Sequence, residues 1–234
     1  MKYTIKNKLF LVFALILVIV VSTTFAYYTD HHTKVNTFTS GEVKVELAEP
    51  EYNLPENEEL RKDIAPRQEI IKDPVVTNTG KSDCFIFIEV MIPNLTFSIV
   101  NPDGSKEPAL KQPFFSYDLA ENWQSVETGT VTRDGIDYDT CVYAYNVSND
   151  STQGMSTLQP GERTTPLFNK NILKAPNFVE LQVPTDEIIE VPIQVYAIQS
   201  SDLVNTGQYG NIGISKATDV WEIVKSQILA EGGK

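Results

Sequence analysis

The sequence predicts an all-β protein, an antiparallel β-sandwich finished by a short C-terminal helix. Three observations carry that expectation. Short apolar stretches with period-two alternation recur between turn signals built from Gly, Pro, Asn and Asp. One stretch, Cys84–Ile92, is apolar on both faces, as suits a strand covered on both sides. Only the tail changes period, with Val220, Trp221, Val224 and Ile228 at helical spacing.

Taken in order, the chain begins with Lys2, Lys6 and Lys8 and then the uninterrupted apolar run Leu9–Val21. A cationic start and an h-region of this length read as a signal peptide, and the run is short for a membrane-spanning helix. Ser22, Thr23, Thr24 and Phe25 lead to Ala26, and cleavage is expected between Ala26 and Tyr27. The alternative is an uncleaved N-terminal anchor. On the cleaved reading, residues 1–26 are the leader, 27–41 a mature N-terminal segment, and 42–234 one β-sandwich domain.

The whole chain of 234 residues carries 19 basic and 31 acidic side chains. Loss of the three leader lysines leaves 16 against 31, a net charge of −15. Such a surface repels nucleic acid and anionic membrane, so neither is expected as a partner after cleavage. Over 200 residues remain to bury a core without staples. The two cysteines, Cys84 and Cys141, stand in a compartment that permits disulfides, and their even number leaves a bridge or two free thiols equally open.

Glu42–Leu47 alternates charged residues with Val43, Val45 and Leu47, a half-buried strand. The acidic stretch 48–63, with Pro50 and Pro55, reads as a solvated loop. A strand is expected over Ile70–Thr77, a tight connection at Asn78-Thr79-Gly80, and the doubly apolar strand after it. In that strand Cys84, Ile86, Ile88 and Val90 share one face, with Phe85, Phe87 and Met91 on the other. Leu95–Val100 ends at the turn Asn101-Pro102-Asp103-Gly104. Asp134-Gly135 joins the hairpin arms Thr128–Arg133 and Ile136–Val147. Pro160-Gly161 marks another turn, and Ile188–Gln199 is the last long strand, with Pro192 at a bulge or edge. The helix is expected over 218–230, started by Thr218 or Asp219 and stopped by Gly232-Gly233, with Trp221 sealing one end of the sandwich.

The junction after the leader carries a family resemblance. Ala26, the aromatic pair Tyr27 and Tyr28, Asp30, and then Asn36, Thr37, Phe38 and Gly41 resemble the TasA/camelysin family of exported bacterial proteins. Pro66, Lys72, Val76, Asn78 and Gly80 match a second family segment, with Arg67 where Gly is usual. The Leu158–Glu162 turn and the Val-Tyr-Ala-Ile-Gln ending of the last strand extend the match. The resemblance implies a jelly-roll-like sandwich, processing by a dedicated signal peptidase, and self-assembly into oligomers or fibres of the biofilm matrix or cell surface. It also implies a donor strand, Tyr27–Phe38, with Tyr28, Val35 and Phe38 as anchors on a neighbouring subunit. That this segment instead packs on its own domain is the equal alternative.

Because camelysin-like proteins have been classed as metallopeptidases, the chemistry has to be sought. His31 and His32 are the two histidines, adjacent, and on extended backbone they point to opposite faces. Neither an H-E-x-x-H helix nor a G-x-S-x-G elbow occurs. Carboxylate pairs such as Asp137/Asp139 are ordinary in so acidic a chain. No catalysis, metal or cofactor is therefore expected. The rival readings are a camelysin-type metal-dependent peptidase and a surface adhesin.

Overall fold

Turn chemistry and strand pairing divide the chain much as its punctuation suggests. The structure, a computed structural model, describes residues 43–148, 154–184, 188–203 and 216–232. All of these belong to the unit Thr33–Lys234. The leader, the cleavage junction Ala26/Tyr27, the anchors Tyr28, Val35 and Phe38, and both histidines lie outside the described residues.

The described elements are β1 (Val45–Ala48), α1 (Pro55–Glu58), β2 (Glu69–Ile71), β3 (Val75–Asn78), β4 (Cys84–Phe97), β5 (Leu110–Pro113), β6 (Trp123–Arg133), β7 (Ile136–Tyr145), β8 (Ile172–Lys174), β9 (Ile193–Gln199) and α2 (Ala217–Gly232). The largest sheet runs β5-β4-β7-β6, with β9 also on β4, and every pair is antiparallel. It is curled, and two small sheets, β1–β3 and β2–β8, belong to the same sandwich. The protein is thus an all-β sandwich with one long helix at the end of the chain.

β4 organises the core as its sequence requires. Ile86, Ile88 and Val90 on one face join Val43, Val76 and Leu173 in the main core. Phe85 and Phe87 on the other face join Tyr196 and Ile198 of β9 and Val220, Trp221 and Val224 of α2. Trp221 therefore covers the back of the large sheet rather than one end of the sandwich. Its ring lies 5.3 Å from Phe87 and 5.2 Å from Tyr196. Burial of this kind contributes roughly 1.5–3 kcal/mol per large apolar side chain.

Several boundaries moved for identifiable reasons. The strand expected over Ile70–Thr77 is interrupted between β2 and β3. There Pro74 lacks an N–H, and Lys72 and Asp73 turn inward, each 4 % exposed. Lys72 Nζ meets the two Glu49 oxygens at 2.9 and 3.1 Å and sits 3.9 Å from the Tyr52 ring centre. Asp73 accepts hydrogen bonds from the backbone N–H groups of Glu51 and Tyr52. These contacts fold the acidic stretch against the domain, so it is not simply a solvated loop. Leu95 is not the start of a new strand: β4 continues through Pro93, whose carbonyl accepts from Phe114 N–H. β9 begins at Ile193, because Pro192 offers only its carbonyl, which accepts from Met91 N–H at 3.0 Å. In α2 the Lys216 carbonyl accepts the first helical bond, from Val220, so Thr218 and Asp219 lie inside the first turn rather than at the cap.

Turns follow the local code. Asp134 and Gly135 have φ of 52° and 80°, the left-handed pair a two-residue hairpin demands. Gly161 follows Pro160 with φ 83°, which is where a type II turn wants Gly. Arg67 adopts φ 64° without glycine's freedom, a conformation costing an L-residue roughly 1–2 kcal/mol.

Candidate functional site: an open groove and a strand edge on the large sheet

The hairpin β6–β7 builds the candidate site. Its register pairs Trp123 with Tyr145 and Arg133 with Ile136, and shifts once, between Ser125 and Glu127. The shift is a β-bulge, one extra residue on β6 that resets which side chains face which way. Beyond it, Glu127 pairs with Val142 on the helix-covered side, and Thr128 pairs with Cys141 on the core side. Glu127 there accepts a hydrogen bond from Trp221 Nε1 at 3.0 Å and an ion pair from Lys225. The bulge thus supplies a carboxylate to dock α2 and sends Thr128, Thr130 and Thr132 to the opposite face.

That opposite face is apolar and covered near Trp123, Tyr143 and Ile88, and open towards the hairpin tip. Where it opens, a groove of about 620 Å³ continues into one of about 480 Å³, the two sharing Pro113, Thr130 and Asp139. Ile92, Cys141 and Tyr143 line the inner part. Tyr117 forms a wall, its hydroxyl 2.6 Å from that of Tyr143 and its ring 4.7 Å from Phe168. Burial pushes the Tyr117 hydroxyl up to about 12, and it raises Tyr143 as well, so both are neutral phenols.

The outer part is polar and internally bonded. Asn94 Nδ2 donates to Asp139 at 2.6 Å. Asp137 accepts from Lys111 Nζ at 2.6 Å and from the Thr132 hydroxyl at 2.5 Å, and these bonds, Lys111 first, hold its carboxyl below the usual range. Two carboxylates thus face one ammonium and a row of hydroxyls. Of this constellation only the Asp137/Asp139 pair stood out in the sequence. The other signal was present, in Thr128, Thr130 and Thr132 at period two. Asn94 and Lys111 join only because β4 and β5 pair there.

The second feature is the far edge of β6. One side of this 11-residue strand pairs with β7, and no described strand pairs with the other. An unpaired edge presents a row of N–H and C=O groups to any incoming strand.

Cys84 and Cys141 are both free thiols. Cys141 pairs with Val90, six residues along β4 from Cys84, a separation of about 20 Å at strand rise. A bridge needs Cα atoms within roughly 7 Å. Burial, and secondarily Asp83, pushes the Cys84 thiol up to about 12, and it is fully buried. Cys141 is half-buried, with Ser125 Oγ 3.1 Å from its sulfur. Among the described residues, no three His, Cys, Asp or Glu side chains gather closely enough to hold a metal ion. No described helix is long and apolar enough to cross a membrane. No family model matches this chain, and neither does any curated protein or solved structure.

Proposed function

We propose that the protein is an exported structural component of a bacterial envelope or biofilm matrix, of the TasA/camelysin type, whose subunits join by strand addition. The observation that carries this reading is the edge of β6, which no described strand pairs, on a sandwich whose sequence opens with the cationic and apolar stretch read above as a leader. The segment Tyr27–Phe38, freed by cleavage after Ala26, is the incoming strand. Such addition is head-to-tail, and it propagates into a fibre if rotation does not close it into a ring.

Two further observations support the family reading. The segments carrying the resemblance at Asn78–Gly80 and Leu158–Glu162 clasp each other. Asn78 Nδ2 donates to Leu158 O at 2.9 Å, Asn78 N–H to Glu162 O, and Gly161 N–H to Asn78 O. Arg67, standing where the resembled family has Gly, takes the positive φ that Gly favours. The peptidase reading turns on His31 and His32, which lie outside the described residues.

Mass spectrometry of culture supernatant tests the export step. The expected mature chain begins at Tyr27. A chain still starting at Met1 in the membrane fraction contradicts secretion.

A further inference from the structure

We infer that the groove over the open half of the large sheet is a binding site for a neutral glycan chain, distinct from the strand edge used in assembly. Four features of the groove identify the occupant's chemistry.

The first is what the floor cannot offer. Its strands β4, β7 and β6 pair with one another across it, so the main-chain groups between them are engaged, and those on the outer side of β6 lie in the plane of the sheet at its edge rather than on this face. An extended peptide binds chiefly through main-chain bonds at an edge, and this face has none to give. Whatever lies here is held by side chains.

The second is charge. Asp137 and Asp139 outnumber Lys111, and Lys111 is committed to Asp137 at 2.6 Å. An anionic polymer meets net repulsion here, on a protein of net charge −12. The excess of acceptors is complemented by an uncharged partner rich in O–H donors.

The third is the hydrogen-bonding inventory. Thr128 and Thr130 offer hydroxyls that both donate and accept, the Tyr117 hydroxyl keeps acceptor capacity beside its bond with Tyr143, and Asp139 keeps acceptor capacity beyond its bond from Asn94. Sugar hydroxyls also donate and accept, and they come in vicinal pairs. The mutual bonds Asn94–Asp139 and Thr132–Asp137 fix the two carboxylates before any ligand arrives, which lowers the ordering cost of binding.

The fourth is shape. The groove spans β5, β4, β7 and β6, about 14 Å at normal strand spacing, room for roughly three rings each about one strand spacing long. Pro113 and the Tyr117 ring edge the groove with apolar surface against which the C–H faces of a pyranose can pack. A matrix subunit with such a site would fasten polysaccharide along a fibre while its edge strand stays free for the next subunit.

The test titrates the secreted chain, ¹⁵N-labelled, with cellohexaose, maltohexaose and chitohexaose, and in parallel with an alginate oligomer and a synthetic peptide of residues 27–38. Amide shifts should map to Asn94, Thr128, Thr130 and Asp139 with at least one neutral hexasaccharide and not with alginate. The double variant Thr128→Val/Thr130→Val keeps the β-branched shape but removes two hydroxyls. It should weaken binding at least about tenfold, or 1.4 kcal/mol, with an unchanged urea midpoint. Absence of shifts with every neutral hexasaccharide at millimolar concentration overturns the proposal, as does undiminished binding by the folded variant. Shifts of the same amides by the peptide alone would assign the groove to the chain's own N-terminal segment and also overturn it. These outcomes are read amide by amide, so they stand apart from success or failure of fibre assembly.

Discussion

Asn78 is fully buried, and each polar atom of its side chain is used. Its amide donates to Ser82 O and Leu158 O, both at 2.9 Å, and its Oδ1 accepts from Gly80 N–H at 3.0 Å. Asn78→Ala removes all three bonds, leaving Ser82 O and Gly80 N–H without these partners while Leu158 O keeps its bond from Cys84 N–H, so at about 1 kcal/mol per bond urea unfolding should show a loss of about 2–4 kcal/mol. The Asn-x-Gly and Pro-Gly turns were each legible, because turn chemistry is local. Their clasp across 80 residues was not, since nothing local encodes it. Cys84 gives a second prediction. The unfolded chain ionises its thiol above the ordinary value of 9.0, while the folded one holds its proton up to about 12. The raised folded value means the thiol's contribution is complete below pH 9 and is lost as pH climbs towards 12. Urea midpoints measured across that range should fall less steeply in Cys84→Ala. In native protein at pH 8 a disulfide reagent should label Cys141 and reach Cys84 only after unfolding.

At the level of elements, the strand alternation in β4 was readable, because a strand buried on both sides needs apolar residues at every position. What covers its second face was not readable. A helical period identifies an amphipathic α2 but not the sheet face it lies on, and the Phe87–Trp221–Tyr196 cluster answers that. Trp221→Ala should cost about 3–5 kcal/mol in urea unfolding, with loss of near-ultraviolet ellipticity from the cluster. The β6 bulge escaped the sequence reading for a related reason. Strict alternation through Ser125, Val126 and Glu127 puts Thr128 on the wrong face, and only the register shift restores it. The groove was therefore invisible while its residues were in plain view. Its Thr row depends on the bulge, and its Asn94 and Lys111 depend on how β4 meets β5.

At the scale of the whole molecule, the all-β sandwich with one terminal helix was foreseen. The proposed assembly depends on how the edge of that sandwich meets a second chain. Proline scanning of β6 at Thr130 and Val131 separates the two sides of the strand. One N–H of each neighbouring pair faces β7 and the other faces away. Proline facing β7 should destabilise the fold by about 3 kcal/mol or more. Proline facing away should leave unfolding nearly unchanged and abolish assembly. The acidic surface slows approach, so fibres should form faster as salt shortens the Debye length to about 8 Å and below. The decisive measurement is electron microscopy of the chain beginning at Tyr27 beside one beginning at Thr39, across a salt series. Strand addition predicts filaments from the first and none from the second, even when seeded with preformed fibres. Monomers of both at every salt and protein concentration, with residues 27–38 protected from proteolysis in the longer one, would contradict it.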